Sequence, residues 1–311
     1  MGQTHVVTGG FGYSGQYIVR ALLARGRQVA TLTGSPARPS EFRDQIGVAP
    51  LDFGNRAALT ASLADAKVLY NTYWVRFDSR DFTHEQAIRN TQALFGAAQQ
   101  AGVERIVHVS ITNPSPDSKL PYFSGKARVE ADLRATGIPH SILRPAVLFG
   151  GEDILVNNLA WSLRRLPVFG VFGDGNYRLR PIHVEDLATL AVNEGEATGC
   201  RTIDAVGPES LTMRELVALL GKAIGHPRPM VSVPPWLGLL FGRAIGLWKR
   251  DVFLTKEEVS GLMAGLLDSG APATGTIRLS EWAAQNADTI GRNYASEMRR
   301  RRHRGVPYAP P

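Results

Sequence analysis

One glycine-rich stretch near the start of the chain constrains the fold more than any other part of the sequence. Residues 8–15 (TGGFGYSG) join a short apolar run, residues 5–7, to an amphipathic helical pattern over residues 16–25. Glycines at this spacing let the backbone turn sharply after a strand and approach a pyrophosphate. Amides at the start of the helix would face the phosphates, where the helix dipole favours negative charge. The sequence therefore predicts a dinucleotide clasp formed by Gly9, Gly12, Tyr13, Ser14 and Gly15.

The rest of the first half alternates β-branched runs with helical patterns, which is typical of a parallel sheet covered on both faces. The pattern predicts strands at residues 28–33, 48–53, 66–73, 105–110 and 140–143, and helices at residues 56–63, 83–101 and 126–136. With the opening run, these strands predict an α/β fold with a doubly wound parallel sheet of the Rossmann type. Its ligand crevice is expected at the carboxyl ends of the strands.

Beyond residue 145 turn signals multiply and the strict alternation ends. Residues 181–187 lead into a predicted short helix that ends at about residue 192, and residues 201–206 are predicted to form a strand that could rejoin the sheet. Residues 212–224 predict an amphipathic helix with a T-x-x-E start. We therefore expect a nucleotide-binding domain from residues 1–147 and about 181–207, and a smaller C-terminal substrate domain from residues 148–180 and 208–311.

The charge of +7 is concentrated in the tail, residues 299–304 (RRRRHR), and is mixed in sign elsewhere, so nucleic acid is not predicted as a partner. The tail is expected to be a solvated, frayed terminus, with docking to anionic lipid or an acidic partner left open. The single cysteine, Cys200, excludes an internal disulfide. Without a signal-peptide pattern before the first strand, a cytoplasmic location is expected.

Residues 236–248 form the most apolar stretch, and their length argues against a membrane span. As a helix they would reach ~20 Å, short of the ~30 Å hydrocarbon core. Two interpretations remain open. We favour a helix in the core or over the substrate cleft; the alternative is a peripheral membrane contact through residues 236–250 together with residues 299–304.

Tyr122 and Lys126 form a Y-x-x-x-K pair, which on a helix places phenol and ammonium one turn apart on the same face. The cation can lower the pKa of the phenol and hold a cofactor ribose. Ser110 ends the preceding strand and could hydrogen-bond a substrate carbonyl or hydroxyl. These three are the candidate catalytic residues. No grouping of His, Cys, Asp and Glu has metal-ligand spacing, so no metal is expected.

The end of the second strand indicates which dinucleotide binds. NAD enzymes usually carry an Asp or Glu there for the ribose 2′-hydroxyl. Residues 33–38 (TGSPAR) contain no acid, and Ser35 and Arg38 could donate hydrogen bonds to a 2′-phosphate. The sequence therefore favours NADP over NAD.

Further motifs lie at or near strand ends and in helices. They are residues 51–53 (LDF), Asn90, residues 143–145 (LRP) and residues 184–187 (VEDL). With the glycine stretch and the Ser110, Tyr122 and Lys126 set, they make the chain resemble the short-chain dehydrogenase/reductase superfamily, in its extended or atypical, epimerase/dehydratase-like branch. Residues 71–77 and 143–150 look most like bacterial relatives of the nucleotide-binding accessory subunit of respiratory complex I. The resemblance implies cofactor contacts from Asp52 and Phe53 at the adenine, from Asn71, Thr72 and Tyr73 near the nicotinamide, and from Lys126 at the ribose.

The sequence departs from the extended branch, because Tyr122 follows Ser110 by only 12 residues. This short loop suits atypical members, several of which bind the cofactor without turnover. Two functions therefore remain open. The first is an NADP-dependent oxidoreductase or epimerase-like enzyme with an unidentified small-molecule substrate. The second is a catalytically silent, NADPH-bound scaffold or sensor on a membrane complex. The oligomeric state is left open.

Overall fold

The computed structural model describes residues 3–308. In the first part of the chain, strands and helices alternate: β1 (Thr4–Thr8), α1 (Tyr13–Ala24), β2 (Val29–Thr33), β3 (Gly47–Pro50), α2 (Arg56–Ala61), β4 (Ala66–Asn71), α3 (His84–Ala101), β5 (Arg105–Val109), α4 (Pro121–Ala135) and β6 (His140–Pro145). The second part continues with β7 (Leu148–Phe149), α5 (Leu155–Arg165), β8 (Phe169–Phe172), β9 (Arg178–Leu179), β10 (Ile182–His183), α6 (Val184–Glu196), β11 (Arg201–Ala205), β12 (Leu211–Thr212), α7 (Met213–Ala223), β13 (Met230–Val233), α8 (Pro235–Lys249), α9 (Lys256–Met263), α10 (Leu279–Gln285) and α11 (Glu297–Arg302).

Seven strands form the central sheet in the order β11-β6-β5-β4-β1-β2-β3. The five pairings from β6 to β3 are parallel. The chain first builds outward from β1 to β3, and then crosses to β4 on the other side of β1. This reversal makes the carboxyl ends of β1 and β4 the topological switch point, where open α/β sheets bind ligands. The predicted α/β, doubly wound fold is confirmed, and the strand predicted at residues 201–206 lies beside β6.

The central strands are buried on both faces, as parallel sheets require. All five residues of β1 are buried. Val6, Leu69, Ile106 and Ile142 come from adjacent strands and join one apolar cluster with Phe95 of α3. Burial of this cluster holds the strand ends, and the loops that follow them, in place.

Helix α4 begins five residues earlier than the sequence predicts, at Pro121 instead of residue 126. Proline suits the first turn of a helix, because its φ is already helical and its missing N–H would have no partner there. The early start places Tyr122, Lys126 and Glu130, at four-residue intervals, on one face of α4.

The chain divides into two compact units. The first contains residues 3–144, 187–204 and 304–308, and the second contains residues 145–186 and 205–303. Residues 304–308 thus group with the first unit, whereas the sequence placed the whole tail in the smaller domain. In the second unit, α5 and α7 pack around one apolar cluster. The predicted T-x-x-E start of α7 forms a capping box, with the Thr212 hydroxyl accepting from the Glu215 amide at 3.1 Å.

Helix α8 covers the apolar stretch. The interpretation as a core helix is wrong, and a helix over the substrate cleft stays a prediction. Helix α8 packs against other parts of the second unit through glycines. A Cβ at Gly238 would lie 2.2 Å from the Phe172 ring, and one at Gly246 would lie 2.7 Å from the Asp251 carbonyl oxygen. The opposite face exposes large apolar side chains, namely Trp236, Leu240, Phe241, Leu247 and Trp248. Within residues 3–308, no helix is both long and apolar enough to cross a bilayer.

The arginine-rich tail is helical over residues 297–302, so the expectation of a frayed terminus is wrong there. Two groups satisfy the amides of the first turn of α11. The Ser296 hydroxyl accepts from the Arg299 amide at 3.1 Å, and the Asp251 carboxylate accepts from the amides of Glu297 at 3.0 Å and Met298 at 3.1 Å. Caps of this kind stabilise a helix whose own composition would not suffice to keep it folded.

Candidate functional site

The glycine loop between β1 and α1 has the geometry of a phosphate cradle. Gly9 adopts φ +66°, and its amide donates to the Leu32 carbonyl at 2.7 Å. A Cβ at Gly15 would lie 2.2 Å from the Gly9 carbonyl oxygen, so only glycine allows this close approach. Gly12 is the N-cap residue of α1 and brings no side chain that could accept from the first turn, which begins at Tyr13. The loop therefore fits a bound pyrophosphate.

Threonines on β1 and β2 hold this loop. The Thr31 hydroxyl, on β2, accepts from the Gly10 amide at 2.8 Å. The Thr8 hydroxyl donates to the Asn71 side-chain oxygen at 3.0 Å and accepts from the Thr72 amide at 2.9 Å. These bonds tie the ends of β1, β2 and β4 together, so the cradle is rigid before any ligand arrives.

Asn71 is fully buried, and its side chain contacts residues of β1 and β5. Its amide nitrogen lies 3.0 Å from His108 Nδ1, and its oxygen accepts from the Tyr73 amide at 3.1 Å. Burial and the charge of Lys126 keep the pKa of His108 well below its usual value, so the imidazole is neutral and Nδ1 accepts. Of the predicted residues near the nicotinamide, Thr72 and Tyr73 have partly exposed side chains.

The predicted adenine residues lie in the turn after β3. Asp52 is exposed, and its carboxylate accepts from the Gly54 amide at 2.9 Å. The Phe53 ring lies 4.8 Å from the ring of Tyr73, whose hydroxyl accepts from Asn90 at 2.7 Å. Phe53 and Tyr73 therefore form an aromatic pair, while the Asp52 side chain shapes its own turn.

The loop after β2 carries the two predicted 2′-phosphate ligands. The Arg38 amide donates to the Ser35 carbonyl at 3.0 Å, and the Ser35 amide donates to the Thr33 hydroxyl at 3.1 Å. Ser35 is half-buried, and Arg38 is only 6% exposed. This compact turn follows β2 at the strand end nearest the glycine loop.

The Tyr122 and Lys126 pair lies on α4, with different surroundings for its two members. Tyr122 is half-buried. Lys126 is 2% exposed, and its ammonium donates to the Val109 carbonyl at 2.7 Å. Burial lowers the pKa of Lys126 to about 7, although the negative charge of Glu130 opposes that shift.

Trp74 lies between the members of this pair, and we did not identify it from the sequence. The Lys126 ammonium lies 4.4 Å from the Trp74 ring centroid, a cation–π contact, and the Tyr122 ring packs edge-on to Trp74 at 6.0 Å. A Cβ at Gly125 would come within 3.3 Å of the same indole. Its Nε1 is buried without a hydrogen-bond partner among the residues that the structure describes. The only signal in the sequence was an aromatic residue soon after β4.

Ser110 donates to a buried carboxylate that we also did not identify. Its hydroxyl lies 2.6 Å from Glu130, which is 1% exposed. Arg144 binds Glu130 through two hydrogen bonds, at 2.9 and 2.6 Å, and Arg134 adds a third at 3.1 Å. Burial raises the pKa of Glu130, but the bonds from Arg144 and Ser110 outweigh it and hold the pKa below its usual value. The four-residue spacing of Lys126 and Glu130 on α4 was the signal that could have revealed this carboxylate.

The described residues contain no group of three or more His, Cys, Asp and Glu side chains that could hold a metal ion. The site chemistry of the first unit therefore consists of a phosphate cradle, a phenol, a buried ammonium and a hydroxyl. Such a set can bind a dinucleotide and move a proton.

Comparisons with known proteins indicate nucleotide binding. Residues 9–158 match a family model described as NAD(P)H-binding. The chain is 27% identical over 241 residues to the mitochondrial NADH-ubiquinone oxidoreductase 40 kDa subunit of Neurospora crassa, covering 75% of this chain and 63% of that one. It is 28% identical over 241 residues to NADH dehydrogenase (ubiquinone) 1 alpha subcomplex subunit 9 of Arabidopsis thaliana, covering 73% and 60%. The chain thus spans less than two thirds of the length of these two relatives.

Solved structures share the fold. Triphenylmethane reductase from Citrobacter sp., complexed with NADP(H), aligns with TM-score 0.76 and 20% identity over 91% of this chain and 99% of that one. UDP-glucose 4-epimerase from Thermus thermophilus, complexed with NAD, aligns with TM-score 0.65 and 19% identity over the same shares. Since one of these neighbours holds NADP(H) and the other holds NAD, they do not decide between the two dinucleotides. The predicted resemblance is thus supported by an NAD(P)H-binding domain, homology to the complex I subunits, and a fold shared with epimerases and reductases.

Proposed function

Because this chain carries an NAD(P)H-binding domain on an epimerase/reductase-like fold, we propose that it is an NADP(H)-dependent oxidoreductase with Tyr122 as its acid–base group. The observation that carries the proposal is the position of the Tyr122 and Lys126 pair. Lys126 bonds to the last residue of β5, and β5 neighbours β4, whose end is tied to the glycine cradle. A proton donor and a phosphate cradle thus belong to one edge of one sheet.

A bound nicotinamide would supply or accept a hydride. The Tyr122 hydroxyl would give a proton to the reduced oxygen of the substrate, or take one in the reverse direction. Lys126 would lower the pKa of Tyr122 when protonated, and Trp74 would exclude water from the ammonium. Since Ser110 donates its own hydrogen to Glu130, it would orient the substrate by accepting a hydrogen bond from a substrate hydroxyl.

The activity test uses NADPH oxidation with a panel of aldehydes, ketones and quinones. We expect turnover with at least one class, and a loss of about 10²- to 10⁴-fold in kcat for Tyr122→Phe with NADPH affinity unchanged. Tyr177→Phe, a change in the second unit, is the matched control and should keep full activity. Equal turnover in Tyr122→Phe and wild type would remove Tyr122 from the chemistry.

We propose further that NADP(H) is preferred to NAD(H). The loop over residues 33–38 has no carboxylate to repel a 2′-phosphate, and Arg38 can donate to one. Calorimetric titration with NADPH and NADH should show tighter binding of NADPH. Arg38→Ala should weaken the binding of NADPH by about tenfold and leave the affinity for NADH unchanged. Tighter binding of NADH by the wild type would contradict this preference.

A second function, an NADPH-bound scaffold at a membrane, is favoured by α8. Its exposed apolar face includes Leu247, with 82% exposure, and Trp236 and Trp248 near the helix ends. The Lys249 ammonium lies 3.9 Å from the Trp248 ring centroid, and Asp251 joins the end of α8 to the arginine-rich helix α11. Apolar side chains bordered by cations suit an anionic lipid surface.

Vesicle co-sedimentation tests this second function. We expect the protein to sediment with phosphatidylcholine vesicles that contain phosphatidylserine, and far less with phosphatidylcholine alone. Leu240→Ser/Leu247→Ser should abolish sedimentation, while Val231→Ser, an exposed apolar control on β13, should not. Membrane binding together with NADPH retention and no carbonyl reduction would favour the scaffold over the enzyme.

A further inference from the structure

The end of the described chain lies against the loop that follows β2. Arg304 donates through Nη1 to the Gly34 carbonyl at 2.9 Å, across 270 positions of sequence. Four residues later, the Tyr308 ring centroid lies 5.6 Å from the Arg38 guanidinium carbon. Residues 304–308 therefore contact both ends of the loop formed by residues 34–38, within the same compact unit.

This loop neighbours the phosphate cradle. β1 and β2 pair in parallel with Thr8 opposite Leu32, and the Gly9 amide donates to the Leu32 carbonyl. The chain leaves β2 at Thr33, so residues 34–38 follow the strand at the edge where the cradle lies. In dinucleotide-binding sheets, groups at this strand end contact the ribose 2′-position.

The two segments together carry two arginine cations and contain no acid. Residues 33–38 (TGSPAR) and 303–308 (HRGVPY) include two arginines and neither Asp nor Glu. A guanidinium has a planar set of five N–H donors, which matches the oxygens of a phosphate. The contact with the Tyr308 ring restrains the direction of the Arg38 guanidinium, because a cation over an aromatic face is attracted to it.

We infer that Arg304 is a second cation of the 2′-phosphate site and that Tyr308 positions Arg38 in it. Residues from the C-terminal end thus take part in choosing NADP(H) over NAD(H). This inference rests on the proposed NADP(H) binding. It differs from that proposal in assigning part of the selectivity to a segment with no place in the nucleotide-binding motifs.

The test uses the full chain and four probes in calorimetry: NADPH, NADH, 2′,5′-ADP and 5′-AMP. Arg304→Gln should weaken the binding of NADPH and 2′,5′-ADP by about tenfold. The affinities for NADH and 5′-AMP should stay within about twofold of those of the wild type. Tyr308→Leu should weaken the same two probes by a smaller factor. Arg302→Gln removes the same charge two residues earlier, from α11, and should change none of the four.

Three outcomes would overturn the inference. Unchanged NADPH affinity in Arg304→Gln would show that the bond to Gly34 is structural only. Tighter binding of all four probes in either variant would show that the tail covers the site instead of completing it. If the wild type binds neither dinucleotide, the proposed function fails as well, so the two failures are distinguishable. Thermal unfolding of each variant confirms that it is folded.

Discussion

Glu130 is the buried charge on which three other side chains converge. It accepts hydrogen bonds from Ser110, Arg134 and Arg144, and it lies one turn from Lys126 on α4. An ion of this kind is stable in the interior only while its partners stay in place. Glu130 therefore positions Ser110 at the end of β5 and contributes negative charge near Lys126.

Replacing Glu130 by Gln should lower the free energy of unfolding by about 3 kcal/mol, because the Arg144 guanidinium then loses its charged partner. The measurement is urea denaturation at neutral pH. Glu130→Gln/Arg144→Met removes both ions and should recover much of the loss. A single variant as stable as the wild type would show that this network contributes little.

Lys126 makes the stability depend on pH. Burial lowers its pKa from 10.5 to about 7 in the folded chain, while the unfolded chain keeps the ordinary value. Between these values the unfolded chain binds a proton that the folded chain does not. The contribution of Lys126 to the free energy of unfolding therefore rises with pH, by up to about 1.4 kcal/mol per pH unit. This contribution is lost as pH falls towards 7.

Lys126→Met should remove this dependence. Urea denaturation of both proteins at pH 7, 8 and 9 isolates the contribution of Lys126, because all other groups titrate in both. As pH increases, the free energy of unfolding of the wild type should rise relative to that of the variant. Parallel profiles would mean that Lys126 keeps its ordinary pKa when folded.

At the scale of elements, α6 packs on β4 through a glycine. A Cβ at Gly195 would lie 2.0 Å from the Tyr70 hydroxyl. Tyr70 is fully buried, and its hydroxyl lies 3.0 Å from His5 Nδ1. The Tyr70 hydroxyl occupies the space that a side chain at position 195 would need, so the helix approaches the sheet as closely as a glycine allows.

Gly195→Ala should therefore lower the free energy of unfolding by about 1–3 kcal/mol through overpacking. Gly96→Ala on α3 is the matched control. There the nearest atom to a Cβ is Arg56 Nη2 at 3.2 Å, the far end of a flexible side chain. This control should be neutral or stabilising by up to about 1 kcal/mol, because alanine favours a helix. Thermal or urea denaturation compares the two.

At the scale of the whole molecule, nucleotide binding should stabilise the first unit. NADPH at 100 times Kd should add roughly 2.7 kcal/mol. Hydrogen exchange should slow at residues 8–15 and 33–38 and stay unchanged in α8. Gly15→Ala is the control, because its Cβ would lie 2.2 Å from the Gly9 carbonyl oxygen and disturb the glycine loop. NADPH should therefore not stabilise this variant. Slower exchange confined to α8 would place the ligand elsewhere.

Much of the fold could be predicted from local sequence signals. Thr83 and Gly102 cap α3 where the pattern placed its ends, with Gly102 at φ 74°. The start of α4 was missed, because residues 121–125 lack an apolar periodicity and Pro121 was the only signal. Trp74 and Glu130 were missed because their roles depend on neighbours from other elements. The roles assigned to Ser110, Tyr122 and Lys126 remain predictions.

The sequence by itself determined the order of the strands and helices in the first part of the chain, the doubly wound sheet and the position of the glycine loop. Alternation, apolar spacing and glycine content are local properties of the chain, and they restrict the backbone directly. Only the tertiary structure decided that Ser110 donates to Glu130, that the apolar face of α8 is exposed, and that Arg304 contacts Gly34. Those contacts join residues far apart in the sequence or depend on what packs against a surface, and no local pattern encodes them.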